Sequence, residues 1–402
     1  MRLDERATGG TARAVASSSG ALAVGMLPLF LVGALSPSIE SDLGFGSAAT
    51  GGALAVFFVV GGVTAVPVGW TTERIGAPVA MRVGVTISGL SSLAIGWLAE
   101  SWFHLAAALA AAGVAIGFVD TAASAWFAST IRAGRHGAAF GVKEASVPTA
   151  SLLAGLSIPL LASDLGWRTV FVLSTLLVPA VWLVVPSGPT PPSVAVVGAS
   201  RAKRWGPIVL FAAGIALGTG AATAAATFLV PGLEDRGWTS SSAGLLLAVA
   251  SVASIAVRLV LGWLSDRRPH AVWHMVVLAM AGGALGPGLL ALDGGGPARV
   301  AGAVLTLAAG WGWTGVAFHA VLMANADAPA LGAGIVLGGL SLGGAAGPAL
   351  FGAVSDGSSY SWAWGGSAAA LAAGAVLTAS ASRWQRRTDD ARAVSSRSVP
   401  RA

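Results

Sequence analysis

The stretch Gly69-Trp70-Thr71-Thr72-Glu73-Arg74 returns as Gly262-Trp263-Leu264-Ser265-Asp266-Arg267, 193 positions later. Each copy closes an apolar run and opens a short basic junction. The offset holds beyond the motif: Gly51 maps to Gly244, Ala55-Val56 to Ala248-Val249, and Gly141-Val142 to Gly334-Ile335. A fixed offset between two such junctions describes one membrane unit written twice.

Composition agrees. The 402 residues are 55% hydrophobic and only 10% charged, where a soluble domain carries about 25% charged residues. The 56 glycines suit helices that pack closely in lipid. No cysteine is present, which excludes disulfides and thiolate metal sites. The net charge of +6 reads as cytoplasmic loops at a lipid bilayer, with no nucleic-acid partner. Arg2, Arg6 and Arg13 before an apolar run from Ala21 superficially resemble a signal peptide. With no cleavage site leading into a soluble mature chain, this segment reads as a first transmembrane helix.

A helix needs about 20 apolar residues to cross the hydrocarbon core. Twelve segments meet or approach that length: 19–36, 47–70, 78–99, 102–130, 137–163, 168–186, 207–230, 240–263, 271–292, 298–323, 331–354 and 360–381. The expected architecture is an all-α integral membrane protein with two pseudo-symmetric six-helix bundles, residues 1–186 and 207–381. A Pro-rich, basic linker (187–206) joins them, and a basic tail (382–402) follows. Alternate loops place 18 of the 23 Lys and Arg on one side, while Arg168, Arg236, Arg299 and eight acids fall on the other. The positive-inside rule makes the basic side cytoplasmic, with both termini inside. A cytoplasmic (inner) membrane location follows as an expectation, as does a monomer.

Two six-helix halves, a basic central linker and a Gly-x-x-x-Asp-Arg junction after the second span of each half resemble the major facilitator superfamily. The resemblance covers nearly the whole chain and includes Gly166-Trp167-Arg168 at the start of the sixth span. The copy at Gly262 is close to the family signature. In the other, Glu73 stands where Asp is usual, and Ala77-Pro78 replace the basic residues. The resemblance implies a cytoplasmic gate of Gly69, Glu73, Arg74, Gly262, Asp266 and Arg267, formed when the outside is open and broken when the inside opens. Physically, the glycines permit close helix approach, and the acid can accept from free N–H groups at a neighbouring helix end. Arg258, one helical turn before Gly262, shares its face and is assigned to this gate. Gly141 to Pro148 weakly resembles the branch that includes cyanate and nitroimidazole transporters.

Ionisable residues inside spans are costly and mark functional sites. Asp120 lies twelve residues before Arg132, about 18 Å deep by the helical rise. Lys143, on the next span, can reach it. Adjacent helix positions point about 100° apart, so Lys143 and Glu144 are expected to divide, one toward the cavity and one toward a neighbouring helix. His319 could bind substrate or relay protons, or simply pack. In the superfamily, spans one, four, seven and ten commonly line the cavity, which favours Asp120 and His319 by resemblance. Trp126 and Thr223 complete the expected pathway, the latter in a stripe with Thr219 and Thr227. Pro148 and Pro159 in span five, and Gly343, Gly344, Gly347 and Pro348 in span eleven, are expected to break or soften those helices.

The function expected is secondary transport of a small organic solute by alternating access. Proton-coupled uptake (symport) of a small anionic metabolite leads, with no cofactor. The alternative is drug or metabolite efflux by proton antiport. Against it, the fourth span has no arginine before Arg132 and the fifth no Gly-Pro pair. A transport-inactive sensor is a third reading. An enzyme is not expected, since the five histidines lack metal spacing and no nucleophile–base set stands out.

Overall fold

A computed structural model describes residues 2–130, 136–185, 205–292, 294–324 and 329–397. The expected linker lies outside these residues except at its last two positions, as do Arg132, Arg135, Arg201, Lys203, Arg204, Asp293 and Arg401 from the charge pattern. The described chain is built of helices: α1 (Arg2–Ala34), α2 (Ser36–Leu43), α3 (Ser47–Ile75), α4 (Ala77–Leu98), α5 (Trp102–Thr130), α6 (His136–Ser157), α7 (Ser163–Ser174), α8 (Leu177–Val184), α9 (Trp205–Glu234), α10 (Ser240–Arg267), α11 (Val272–Ala291), α12 (Gly296–Ala308), α13 (Thr314–Ala324), α14 (Pro329–Gly357) and α15 (Tyr360–Arg397).

Ten stretches of described helix are long and apolar enough to cross a membrane. One of them, His136–Val184, covers both the fifth and sixth expected spans, and the shorter Gly296–Ala308 and Thr314–Ala324 together cover the tenth. Every expected span therefore finds helix. The joins are explained by local chemistry. Gly76 turns the chain between α3 and α4 with φ 82°, a left-handed conformation that a side chain would strain, and Pro78 suits the first turn that follows. Proline 159 cannot supply an N–H, and the backbone widens into a π-turn over Ile158–Ala162. Gly166 (φ 78°) then breaks the path before Trp167.

Two expectations about breaks are corrected. Helix α6 runs unbroken through Pro148. Span eleven is the unbroken helix α14, with Pro348 inside it. Its glycines serve contact instead: Gly343 lies against the Ala216 backbone and Gly347 against Gly220 of α9. The interruption falls in span ten, at Ala309–Trp313, where Gly310 and Gly312 weaken the helix.

Two antiparallel seams join the halves. Along α6–α10, a Cβ on Gly137 would stand 2.6 Å from the Gly262 carbonyl, and one on Gly141 2.7 Å from that of Arg258. Ser251 Oγ donates to Ser151 Oγ at 3.1 Å, and a Cβ on Gly155 would stand 2.6 Å from the Gly244 carbonyl oxygen. From Gly137 to Gly155 this seam runs about 27 Å by the helical rise, close to the thickness of the hydrocarbon layer. Lipid tails are as apolar as leucine, so van der Waals contact between backbones, not water exclusion, holds such a seam.

The α3–α14 seam is different. Ser47 meets Gly352, Gly51 meets Pro348, Phe58 meets Gly344, and a Cβ on Gly62 would lie 3.4 Å from Ser341 Cβ. Beyond that the two helices part: Gly69, Gly334 and Gly338 face open space. The end of the bundle bearing Arg74, Arg267 and Arg268 is called the basic face below, and its opposite the far face. At the far face α1 also closes on α9, where a Cβ on Gly33 would stand 2.7 Å from Thr227 Cα.

Candidate transport cavity

Where α3 and α14 diverge, a cavity of about 220 Å³ enters the centre of the bundle. Its walls come from α1, α3, α5, α6, α9, α13 and α14, with Trp311 from the break in span ten. Most of the lining is apolar and aromatic: Met26, Phe30, Phe57, Phe58, Trp311, Phe318 and Leu337. Phe30 and Trp311 meet across the two halves at 5.7 Å between ring centroids.

The charges cluster on one wall. Lys143 Nζ lies 2.7 Å from Asp120 Oδ1 and 3.6 Å from Glu144 Oε1. It also sits over the Phe318 ring, 5.5 Å from its centroid. Lys143 is almost wholly buried, with 5% of its side chain exposed, while Asp120 keeps 31%. The acid therefore faces the cavity and the base lies behind it. Lys143 and Glu144 both border the cavity, where one of them was expected to turn toward a neighbouring helix. A long, flexible lysine stem brings its ammonium back to the face of its neighbour.

The lining also carries hydroxyls. Thr219, Thr223 and Thr314 all line the cavity. Their buried Oγ1 atoms have no hydrogen-bond partner among the described residues. Thr227, the third member of the expected stripe, instead donates to the Thr223 carbonyl at 2.9 Å.

Two expected pathway residues stand elsewhere. Trp126 is half-buried against the cluster of Leu22, Ala77 and Val85. His319 is buried, with Nδ1 2.9 Å from Ser265 Oγ, which places it behind the gate. Thr314 and Phe318 of the same helix do line the cavity, and His319 lies on the side of α13 turned toward Ser265 of α10.

Of the two motif copies expected to form the gate, only the second is engaged across the two halves among the described residues. Both Asp266 oxygens accept from the first free N–H groups of α6, Gly137 at 2.7 Å and Ala138 at 2.8 Å. A carboxylate there satisfies orphan donors and complements the helix dipole. Gly262 packs against Gly137 and Gly141, whereas a Cβ on Gly69, its repeat, would meet nothing within 4 Å. Glu73 and Arg74 are exposed, and Arg267 stacks 3.8 Å over the Trp263 ring. The Asp266 contact was expected only with an open far face. Here it is made while the far-face seam is also shut. Arg258, fully buried, ties three elements: its Nη1 donates to the Glu144 carbonyl and its Nη2 to that of Trp311 at 3.0 Å.

The sequence places this architecture. Residues 18–333 match the profile of the Major Facilitator Superfamily. The chain belongs to that family. It is a multi-pass membrane protein. The chain is also 30% identical over 276 residues to an "MFS-type efflux pump" of Mycolicibacterium smegmatis, covering 62% of each protein. The chain thus spans under two thirds of that relative's length. In this superfamily member the two copies of the Gly-Trp motif have different contacts within one structure.

Proposed function

We propose that this protein is a proton-coupled exporter of an amphipathic organic solute. It works in the cytoplasmic membrane, with both termini and the basic face inside. The observation that carries the reading is the Asp120–Lys143–Glu144 cluster in an otherwise aromatic cavity. A free lysine would favour a small anion. Lys143 is already neutralised by two carboxylates, so uptake of an anionic metabolite loses its leading support. Apolar walls suit an apolar body, and the orphan threonines suit one polar edge of such a solute, since buried hydroxyls seek partners. The efflux function of the relative from Mycolicibacterium smegmatis points the same way.

In this reading Asp120 carries the proton. A proton on its carboxyl weakens the 2.7 Å pair and leaves Lys143 to Glu144. Proton and solute then compete for one exposed acid, and the bundle alternates between faces. Purified protein in liposomes, loaded with a fluorescent amphipath, tests this. An imposed pH gradient should drive accumulation in the parent. Asp120→Asn should lose that accumulation and keep gradient-free counterflow. Gradient-driven accumulation in Asp120→Asn equal to the parent would remove the acid from the mechanism.

A further inference from the structure

The far face holds a second carboxylate contact that mirrors the one at Asp266. Asp356, at the end of α14, accepts from the first backbone N–H groups of α3: Ser47 at 3.1 Å and Ala48 at 2.7 Å. Gly46, just before α3, leaves room for it, since a Cβ there would stand 2.7 Å from Asp356 Oδ2. The site is braced from both halves. Glu40 Oε1 accepts from Thr50 Oγ1 at 2.6 Å, and Glu40 Oε2 from Ser47 Oγ at 3.3 Å. Tyr360 Oη lies 3.1 Å from Ser47 Oγ.

The two contacts share one design. In each, an acid ending a helix of the second half caps the start of a helix of the first half. Asp266 joins α10 to α6 at the basic face, and Asp356 joins α14 to α3 at the far face. A helix start offers free N–H groups only on its own axis, so the cap breaks as soon as the two helices separate. The Ser47–Gly352 and Gly51–Pro348 contacts beside it close the far end of the cavity's own seam.

We infer that Asp356 is the far-face gate residue: its carboxylate holds α3 against α14 in the state open to the basic face and lets go when the cavity turns outward. The inference goes beyond the proposed cargo and coupling and does not depend on them.

The chain lacks cysteine, so one introduced thiol reports on the gate. Thr227→Cys puts it at the α1–α9 closure, where Thr227 is 1% exposed. In purified protein in nanodiscs, a water-soluble maleimide should label it slowly. Adding Asp356→Asn should raise the labelling rate about tenfold, the scale expected from losing charge-assisted bonds. Gly46→Ala, which crowds the carboxylate off without removing its charge, should raise it in the same direction. Asp266→Asn, which loosens the other face, should not raise it. The inference is overturned if Asp356→Asn labels within twofold of the parent, or if Asp266→Asn accelerates labelling equally. If Asp356→Asn does not yield monodisperse protein, Gly46→Ala decides by the same twofold limit.

Discussion

At the scale of single residues, burial and company decide what a side chain does. Glu40 shows this outside the membrane spans. Burial raises its carboxyl above the ordinary value of 4.5, outweighing the hydroxyls of Thr50 and Ser47, and the charge of Asp356 adds to the rise. An acid raised in the folded state stabilises that state fully below its unfolded value, and the contribution is lost as pH climbs through the folded value. The far-face contact should therefore tighten on acidification. The thermal midpoint of the parent should fall from pH 4.5 toward neutrality more steeply than that of Glu40→Gln. Identical slopes would mean that Glu40 titrates alike in both states. Asp120 and Lys143 were legible from sequence because a charge in an apolar span announces itself, and consecutive spans bring such charges together. Glu40 and Asp356 gave no such signal. They sit among ordinary loop acids, and only the fold brings residues some three hundred positions apart into one cluster.

At the scale of elements, glycine position matters more than glycine number. The two motif glycines occupy equivalent places in the repeat and opposite surroundings. A Cβ on Gly262 would stand 2.6 Å from the Gly137 carbonyl and 3.0 Å from Gly141 Cα, whereas Gly69 has open space. Gly262→Ala should cost roughly 1–3 kcal/mol by overpacking. Gly69→Ala should be neutral, or stabilising by about 0.5–1 kcal/mol, since alanine is the better helix former. Thermal unfolding in one detergent would compare them, and equal losses would mean that both seams are closed in solution. Sequence reading treated the two alike because the repeat made them alike. Likewise, the Gly-Pro cluster of α14 reads as a break, yet its glycines are spent on contact with α3 and α9. The true interruption, at Gly310 to Trp313, looks no different in sequence from a dozen other Gly-rich turns of helix.

At the scale of the whole molecule, twelve spans and a duplicated plan followed from hydropathy, charge alternation and one fixed offset. The conformational state did not, because both states of a transporter must be encoded in the same letters. That state can be trapped. The Cβ position of Gly62 lies 3.4 Å from Ser341 Cβ, near the span of a disulfide. Gly62→Cys with Ser341→Cys should therefore oxidise readily and arrest transport until reduced. Gly69→Cys with Gly334→Cys should stay reduced in this state. A rapid crosslink in the second pair would show that the basic ends of α3 and α14 spend most of their time together. The glycine seam between α6 and α10 carries a different consequence. It is shut over its whole length while its counterpart gapes at one end, like a book bound along its spine and opened at the fore-edge. Movement measured at the middle of the spine, beside Ser151 and Ser251, is small however far the pages turn. A spectroscopic label pair there would report a rigid protein, and a pair at the basic ends of α3 and α14 would report the full swing.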